Sequence, residues 1–342
     1  MDQGFWKDLK KPASTRGDSS TRGRPFFVLA PMADVTDAAF RRIIAKYGKP
    51  EVMWTEFVSA DGLCNKEGRK HLLVDLSFTE KERPIVAQLF TSKPEKMREA
   101  ARLVAELGFD GIDINMGCPD RTIEKQGAGA ALIKTPKIAR EVILAAKEGI
   151  NDAVRQAHGK LENIPVSVKT RMGWSKPEME TWIPELLKEN IAALTIHART
   201  RKEMSLVPAR WEFVKRAVEL RNEMKVDTFI IGNGDVKDLS EARARAKETG
   251  ADGVMIGRGI FGNPWLFAGK TPNIKEKLKV LAEHTKLFDK LLGKKKNFAI
   301  MKKHFKAYVN GFDGAKEMRI ELMECENAAD VGKTIKRFLK TL

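Results

Sequence analysis

Eight short apolar runs recur between residues 26 and 256, and they constrain the fold more than any other feature of the chain. Most of the segments between them have the spacing of amphipathic helices, so the pattern predicts strands that alternate with helices. Eight such units match the α/β architecture of a (β/α)8 TIM barrel. The predicted strands are Phe26–Ala30, Val52–Trp54, Ile85–Leu89, Gly111–Asn115, Val166–Lys169, Ala193–Ile196, Thr228–Gly232 and Gly253–Ile256.

A doubly wound parallel sheet is the competing architecture. It normally carries a glycine-rich dinucleotide fingerprint directly after its first strand. At that point the chain has Ala30-Pro31-Met32-Ala33-Asp34, which is not such a fingerprint. The barrel is therefore the favoured prediction.

The strand pattern stops before residue 270, which predicts a domain boundary. Residues 25–269 form the predicted barrel, and residues 270–342 have amphipathic stretches typical of an all-helical domain. Residues 1–24 are polar and basic, and we expect a disordered leader there. Within the barrel, a helix is predicted over Pro136–Lys147, followed by a polar surface insertion over residues 149–163.

The charge of the chain is strongly positive and unevenly distributed. The net charge is +16 over 342 residues, and residues 270–342 hold 18 Lys and Arg against 9 Asp and Glu. A basic surface of this kind suggests a polyanionic partner, most simply a nucleic acid. A lysine-rich surface that only keeps the protein in solution is the alternative, and charge alone leaves both open.

Cysteine content and hydropathy indicate the class of protein. Cys64, Cys118 and Cys325 form no close pair, so neither a disulfide framework nor a metal cluster is expected. The apolar runs are all far shorter than the ~20 residues of a membrane helix. We therefore expect a cytoplasmic protein with free thiols, no membrane contact and no metal.

The barrel prediction implies that functional side chains collect at the C-terminal ends of the strands. The sequence has polar, thiol or glycine residues at most of these ends. In chain order they are Pro31 and Met32, Thr55 and Glu56, Gln88, Asn115 and Cys118, Lys169 and Arg171, His197 and Arg199, Asn233 to Asp235, and Gly257 and Arg258. Taken singly, His197 could be a core histidine and Gln88 a capping amide.

Two glycine turns follow the last two strands, at residues 232–234 and 257–259. In many barrels these turns bind a phosphate, because glycine lets backbone N–H groups approach the oxygens. Tight turns that need a positive φ are the alternative for either turn alone. The pair favours a phosphate, with Arg258 as an additional cation.

Lys169 and Cys118 are the candidates for chemistry. A lysine directly after a buried strand could form a Schiff base or place positive charge beside an anionic ring. Cys118 follows a buried strand in a turn, and it could be a nucleophile or a proton donor. The sequence alone does not decide between these roles.

As a set, these motifs resemble the flavin-dependent tRNA-dihydrouridine synthases. The resemblance spans residues 26–267, and the region around Lys303-His304-Phe305 resembles the helical RNA-binding domain of that family. The matching segments are residues 30–37, Gln88-Leu89, residues 113–119, 127–132, 168–171, 196–200, 232–235 and 257–259.

The resemblance implies a barrel that holds FMN, with NADPH or NADH as reductant and tRNA as partner of a monomer. It implies that a hydride from FMN N5 goes to C6 of a uracil and that Cys118 protonates C5. Asn115, Arg171 and Arg199 would contact the substrate. The implied cofactor-binding residues are Pro31, Met32, Gln88, Lys169, His197, Asn233, Gly234, Asp235, Gly257 and Arg258.

Two other functions remain as alternatives. An FMN oxidoreductase of free pyrimidines shares the barrel, but it has no need for a basic helical domain that docks a polyanion. A non-catalytic RNA-binding barrel would have no use for both Lys169 and Cys118.

Overall fold

A computed structural model describes residues 3–9, 24–158, 161–162 and 164–340, and it contains one eight-stranded parallel sheet. Neighbouring strands in the chain are neighbours in the sheet, and the eighth strand pairs with the first. All eight predicted strands are confirmed. They are β1 Phe26–Leu29, β2 Met53–Ser59, β3 Ile85–Phe90, β4 Gly111–Met116, β5 Val166–Arg171, β6 Ala193–His197, β7 Phe229–Asn233 and β8 Gly253–Ile256.

A short contact between β1 and β2 closes the sheet into a barrel. Val28 bridges Val52 in parallel register. The N–H of Leu29 donates to the Val52 carbonyl at 3.2 Å, and the N–H of Glu51 donates to the Phe27 carbonyl at 3.1 Å. The predicted (β/α)8 barrel is therefore correct, and the doubly wound sheet is excluded.

Helices surround the barrel and form the C-terminal region. Among the described residues, none of them combines the length and apolar character needed to cross a bilayer. They are α1 Trp6–Leu9, α2 Ala38–Tyr47, α3 Ala60–Cys64, α4 Lys66–Leu72, α5 Pro94–Glu106, α6 Arg121–Lys125, α7 Pro136–Gln156, α8 Met179–Leu187, α9 Glu212–Glu223, α10 Leu239–Thr249, α11 Ile274–Leu292, α12 Ile300–Tyr308, α13 Ala315–Glu324 and α14 Ala328–Phe338. The all-helical character predicted for the C-terminal region is confirmed, and the exact domain boundaries stay a prediction.

Helix α7 is longer than predicted, so the predicted surface insertion begins too early. The helix continues through Gly149 to Gln156. Gly149 is buried against α5, where a Cβ would lie only 2.1 Å from the carbonyl oxygen of Arg98. The glycine therefore marks a close contact between two helices rather than the end of one.

The first residues differ from the predicted disordered leader. Helix α1 buries Trp6 to 1% exposure at the N-terminal end of the barrel. Its ring lies 5.7 Å from that of Phe26 and 6.0 Å from those of Trp54 and Phe229. Residues 3–9 therefore pack on the barrel through Trp6, while residues 1–2 and 10–23 of the predicted leader lie outside the described residues.

The C-terminal helices pack on α2 through a buried aromatic cluster. Phe40 lies 5.0 Å from the ring of His284 and 4.7 Å from that of His304, and both histidines are fully buried. Within the described residues, neither imidazole has a hydrogen-bond partner. Burial lowers the pKa of His304 to about 3 and holds the pKa of His284 well below its ordinary value, so both rings are neutral.

This cluster predicts acid-sensitive folding. Below the ordinary histidine pKa of 6.5 the unfolded chain binds protons that the buried rings do not, so stability falls with pH until about 3. For His304 the loss should be on the order of 3 kcal/mol between pH 6.5 and pH 4, and His284 should act in the same direction. Thermal unfolding at several pH values measures it. His304→Phe should flatten the dependence, and an unchanged slope in that variant would count against the assignment.

Candidate functional site

One cleft at the C-terminal ends of the strands collects most of the predicted site residues. Four of the predicted residues do not line it: Gln88, Asn115, Cys118 and Arg171. Hydrogen bonds connect the first three to one another, and Arg171 donates a hydrogen bond to the turn that carries Cys118. Ser205 also lines the cleft, and no sequence motif pointed to it. The predicted residues that line it are Pro31, Met32, Lys169, His197, Arg199, Asn233, Gly234, Asp235, Gly257 and Arg258.

Strand register explains why these residues meet. Asn115 pairs with Lys169 across β4 and β5, and His197 pairs with both Arg171 and Asn233 across its two neighbours. Side chains alternate between the two faces of a strand, so residues at this register share the interior of the barrel. The sequence motifs thus become one polar layer.

A buried carboxyl group forms the floor of this layer. Asp113 has no exposed surface and accepts hydrogen bonds of 2.6 Å from Gln88 Nε2 and from Ser167 Oγ. Burial raises the pKa of Asp113 to about 6, and these two hydrogen bonds oppose the rise. Asp113 was not predicted as a site residue, although its position two residues before Asn115 places it on the same face of β4.

The Asn115 side chain connects this floor to the turn that carries the thiol. Its Nδ2 donates to Gln88 Oε1 at 3.1 Å, while its Oδ1 accepts the N–H groups of Gly117 at 3.1 Å and Cys118 at 2.9 Å. Arg171 Nε donates to the Gly117 carbonyl at 2.8 Å. In the structure both side chains orient the turn, and their contact with a substrate stays a prediction.

Cys118 lies in a half-buried position that favours the neutral thiol. Burial raises its pKa, a hydrogen bond from the Asp120 N–H opposes the rise, and the Asp120 carboxylate adds a smaller increase. The cations Lys169 and Arg171 only partly oppose this effect. A thiol that stays protonated near neutral pH is suited to donate a proton and poorly suited to act as a thiolate nucleophile.

Lys169 provides a cation without a fixed partner at the centre of the cleft. Burial and the nearby Arg171 lower its pKa to about 8, and Asp113 opposes that shift. Among the described residues, no hydrogen bond or ion pair engages its ammonium group. Such a group is available to an anionic ligand.

The turns after β7 and β8 present unused backbone donors. Gly234 has a φ of 131° and Asp235 a φ of 53°, so the chain bends sharply there. Within the described residues, the N–H groups of Gly234, Asp235, Arg258 and Gly259 donate to no protein acceptor. Free N–H groups on glycine turns of this kind are suited to bind a phosphate.

Asp235 holds the cations of this end in place. Its carboxylate accepts from Arg199, from Arg258 Nη2 at 2.7 Å and from the Ala209 N–H at 2.9 Å. Burial acts to raise the pKa of Asp235, but these donors lower it below its ordinary value, so the group is ionised. Asp235 therefore orients Arg258 towards the turns.

His197 is neutral in this setting. Burial and the surrounding cations Lys169, Arg171 and Arg199 lower its pKa well below the ordinary value. Arg199 Nη1 lies 3.1 Å from His197 Nε2. Since arginine can only donate, Nε2 is the acceptor, and the proton resides on Nδ1.

Sequence comparisons agree on one family. A family model described as dihydrouridine synthase (Dus) matches residues 28–342. "Probable tRNA-dihydrouridine synthase 2" of Bacillus subtilis (strain 168) is 40% identical over 335 residues, which cover 97% of this chain and 95% of that protein. "Probable tRNA-dihydrouridine synthase" of Staphylococcus aureus (strain MRSA252) is 39% identical over 343 residues, which cover 99% and 96%.

A comparison with solved structures supports the barrel. The 6-hydroxypseudooxynicotine amine oxidase of Pseudomonas geniculata N1 matches with a TM-score of 0.50 and 12% identity, covering 76% of this chain and 48% of that one. At this identity the likeness concerns the fold alone.

The state of Cys118 can be tested by alkylation. We expect iodoacetamide to modify Cys118 more slowly than an unstructured cysteine at pH 8, because a raised pKa leaves little thiolate. Mass spectrometry of the modified peptide should give a midpoint above 9.0. Lys169→Met should move the midpoint higher, since its cation favours the thiolate. A midpoint below 9.0 in the unmodified sequence would contradict the proton-donor assignment.

Proposed function

The chain belongs to the dihydrouridine synthase family, and on that basis we propose that it reduces the C5=C6 bond of uridines in tRNA with FMN as cofactor and NADPH or NADH as reductant. One arrangement carries the proposal. A protonated Cys118, held by Asn115 and Arg171, lies beside a cleft with an unpaired lysine and unused backbone donors.

The residues of the cleft fit FMN. The N–H groups of the β7 and β8 turns, with Arg258, would hold its phosphate. Pro31, Met32 and His197 would surround its ring, and Lys169 would lie where negative charge develops. When bound, the flavin supplies the hydride that reaches C6 of the uracil.

Lys169 contributes electrostatic stabilisation. Its pKa of about 8 keeps most of the molecules cationic at neutral pH. Without a protein partner, the ammonium group needs no rearrangement to meet an anionic ring, which is the condition for preorganised stabilisation. The Schiff-base role considered from the sequence requires a carbonyl substrate, and a uridine reductase does not need it.

Cys118 supplies the proton that completes the reduction at C5. Burial keeps the thiol protonated, and the two hydrogen bonds to Asn115 Oδ1 fix the turn from which it acts. The uridine must leave its base stack to reach this turn, as it does for other enzymes that modify a base. The reaction thus adds one hydride and one proton across the double bond.

The basic C-terminal region would hold the RNA backbone. Lys294 and Lys295 are exposed at the end of α11, and residues 270–342 carry the excess of positive charge. The family match does not favour the free-pyrimidine oxidoreductase or the non-catalytic barrel.

Removal of the thiol should separate the two half-reactions. Cys118→Ala should retain flavin and its reduction by the nicotinamide cofactor, but lose about 100-fold or more in dihydrouridine formation, because the proton donor is absent. Single turnover with pre-reduced enzyme and unmodified tRNA measures this. Cys64→Ala, a cysteine outside the cleft, is the matched control. Full activity of Cys118→Ala would remove the thiol from the mechanism.

Charge reversal should identify the RNA surface. Lys294→Glu with Lys295→Glu should raise the KM for tRNA and reduce its salt dependence, since each lost phosphate contact lowers the slope by about one. The flavin spectrum should stay unchanged. Lys137→Glu, exposed on α7, is the control. Equal effects of the Lys294/Lys295 reversal and the Lys137 reversal would show that Lys294 and Lys295 form only a solvated surface.

A further inference from the structure

Lys296 differs from its neighbours in the lysine run. Lys294 and Lys295 are exposed, whereas the Lys296 side chain is 13% exposed. Its Nζ lies 2.7 Å from Glu56 Oε2 and 2.7 Å from Asp75 Oδ1, both on the barrel. Burial lowers the pKa of Lys296, but the two carboxylates raise it above its ordinary value. Lys296 is therefore a buried ionic link and not part of a solvated surface.

Glu56 connects Lys296 to the loop that follows β1. It is 5% exposed in β2, and its second oxygen accepts the N–H of Asp34 at 2.5 Å. Burial raises the pKa of Glu56, and Lys296 opposes the rise. Without the lysine, Glu56 would lie beside Asp75 and Asp37 in a largely buried space, with Arg41, which acts on Asp37, as the remaining nearby cation.

The same loop forms one wall of the cleft. Asp34 has a φ of 53°, a strained conformation that the bond from Glu56 helps to maintain. The Met32 carbonyl accepts the N–H groups of Val35 at 3.1 Å and Thr36 at 3.0 Å, and the Met32 N–H donates to Thr36 Oγ1 at 2.9 Å. These bonds make residues 32–36 one unit, so a displacement of Asp34 moves Met32, which lines the cleft.

From this chain of contacts we propose that Lys296 is a positioning residue for the flavin site, acting from the helical region through Glu56 on the loop of Pro31 and Met32. The proposal rests on the proposed function and extends it. The helical region completes the site that holds the cofactor, in addition to holding RNA.

Contacts other than the Lys296 link also hold the helical region on the barrel. Phe40 stacks on His284 and His304, and Lys46 pairs with Glu283 at 2.6 Å. These contacts lie on α2 and do not involve Glu56. We therefore expect the helical region to stay docked when Lys296 loses its charge, while the loop loosens.

The test compares Lys296→Met with Lys137→Met in the full chain, without tRNA. Lys296→Met should weaken FMN binding, followed by flavin fluorescence, by about tenfold or more, because it leaves a buried carboxylate unpaired. It should also slow flavin reduction by the nicotinamide cofactor. Lys137→Met removes one positive charge from an exposed position on α7 and should change neither quantity. Lys296→Arg should restore much of the loss.

Glu56→Gln, alone and combined with Lys296→Met, provides a second test of the proposal. Glu56→Gln keeps the Lys296–Asp75 pair and should weaken FMN binding on its own, and its effect should not add to that of Lys296→Met. If Lys296→Met fails to fold, Glu56→Gln decides. Unchanged FMN affinity and reduction rate in a folded Lys296→Met or in Glu56→Gln would overturn the proposal. A parent protein that does not bind FMN would instead overturn the proposed function.

Discussion

The alternation of side chains around a closed parallel barrel is the constraint on which the rest of the structure depends. Because every second residue of each strand faces inward, the interior must be filled along its whole length. The N-terminal half is filled with aromatic and aliphatic groups, including Phe26, Trp54 and Phe229, with Trp6 below them. The C-terminal half holds polar groups at the same inward positions. Burial of the apolar half stabilises the fold. This offsets the free-energy cost of burying polar groups such as Asp113 in the other half.

The polar half combines an excess of cations with a few well-placed acids. Lys169, Arg171 and Arg199 surround His197 and keep it neutral. Two acids face these cations. Asp113 lies below the cleft, and Asp235 lies at the end formed by the β7 and β8 turns. Both are held by hydrogen bonds, which leaves the Lys169 charge unpaired. A site with this arrangement attracts an anion and still retains a neutral thiol at its edge.

Much of this could be predicted from the sequence, and the limits have physical causes. Apolar runs and glycine turns are local signals, so the strands and the cleft residues that follow them could be located. Asp113 could not be identified as a site residue from the sequence. Its place in the polar layer depends on hydrogen bonds from Gln88 and Ser167, which lie on the two neighbouring strands. Trp6 and Gly149 also depend on distant contacts, which composition does not reveal.

The same limit applies to the lysine run at residues 294–296, whose members lie in two different environments in the structure. In the sequence its three members are equivalent, and their charge suggests a single polyanion surface. In the structure, Lys296 meets Glu56 and Asp75 across about 240 and 220 residues of chain, and because the link is buried, removal of one partner costs more than it would in a surface pair. The cost of burying Glu56 and Asp75 is offset only when the helical region is docked. The β1 loop at the cleft and the docked helices therefore stabilise each other, which couples the proposed RNA-facing region to the cleft proposed to hold the cofactor.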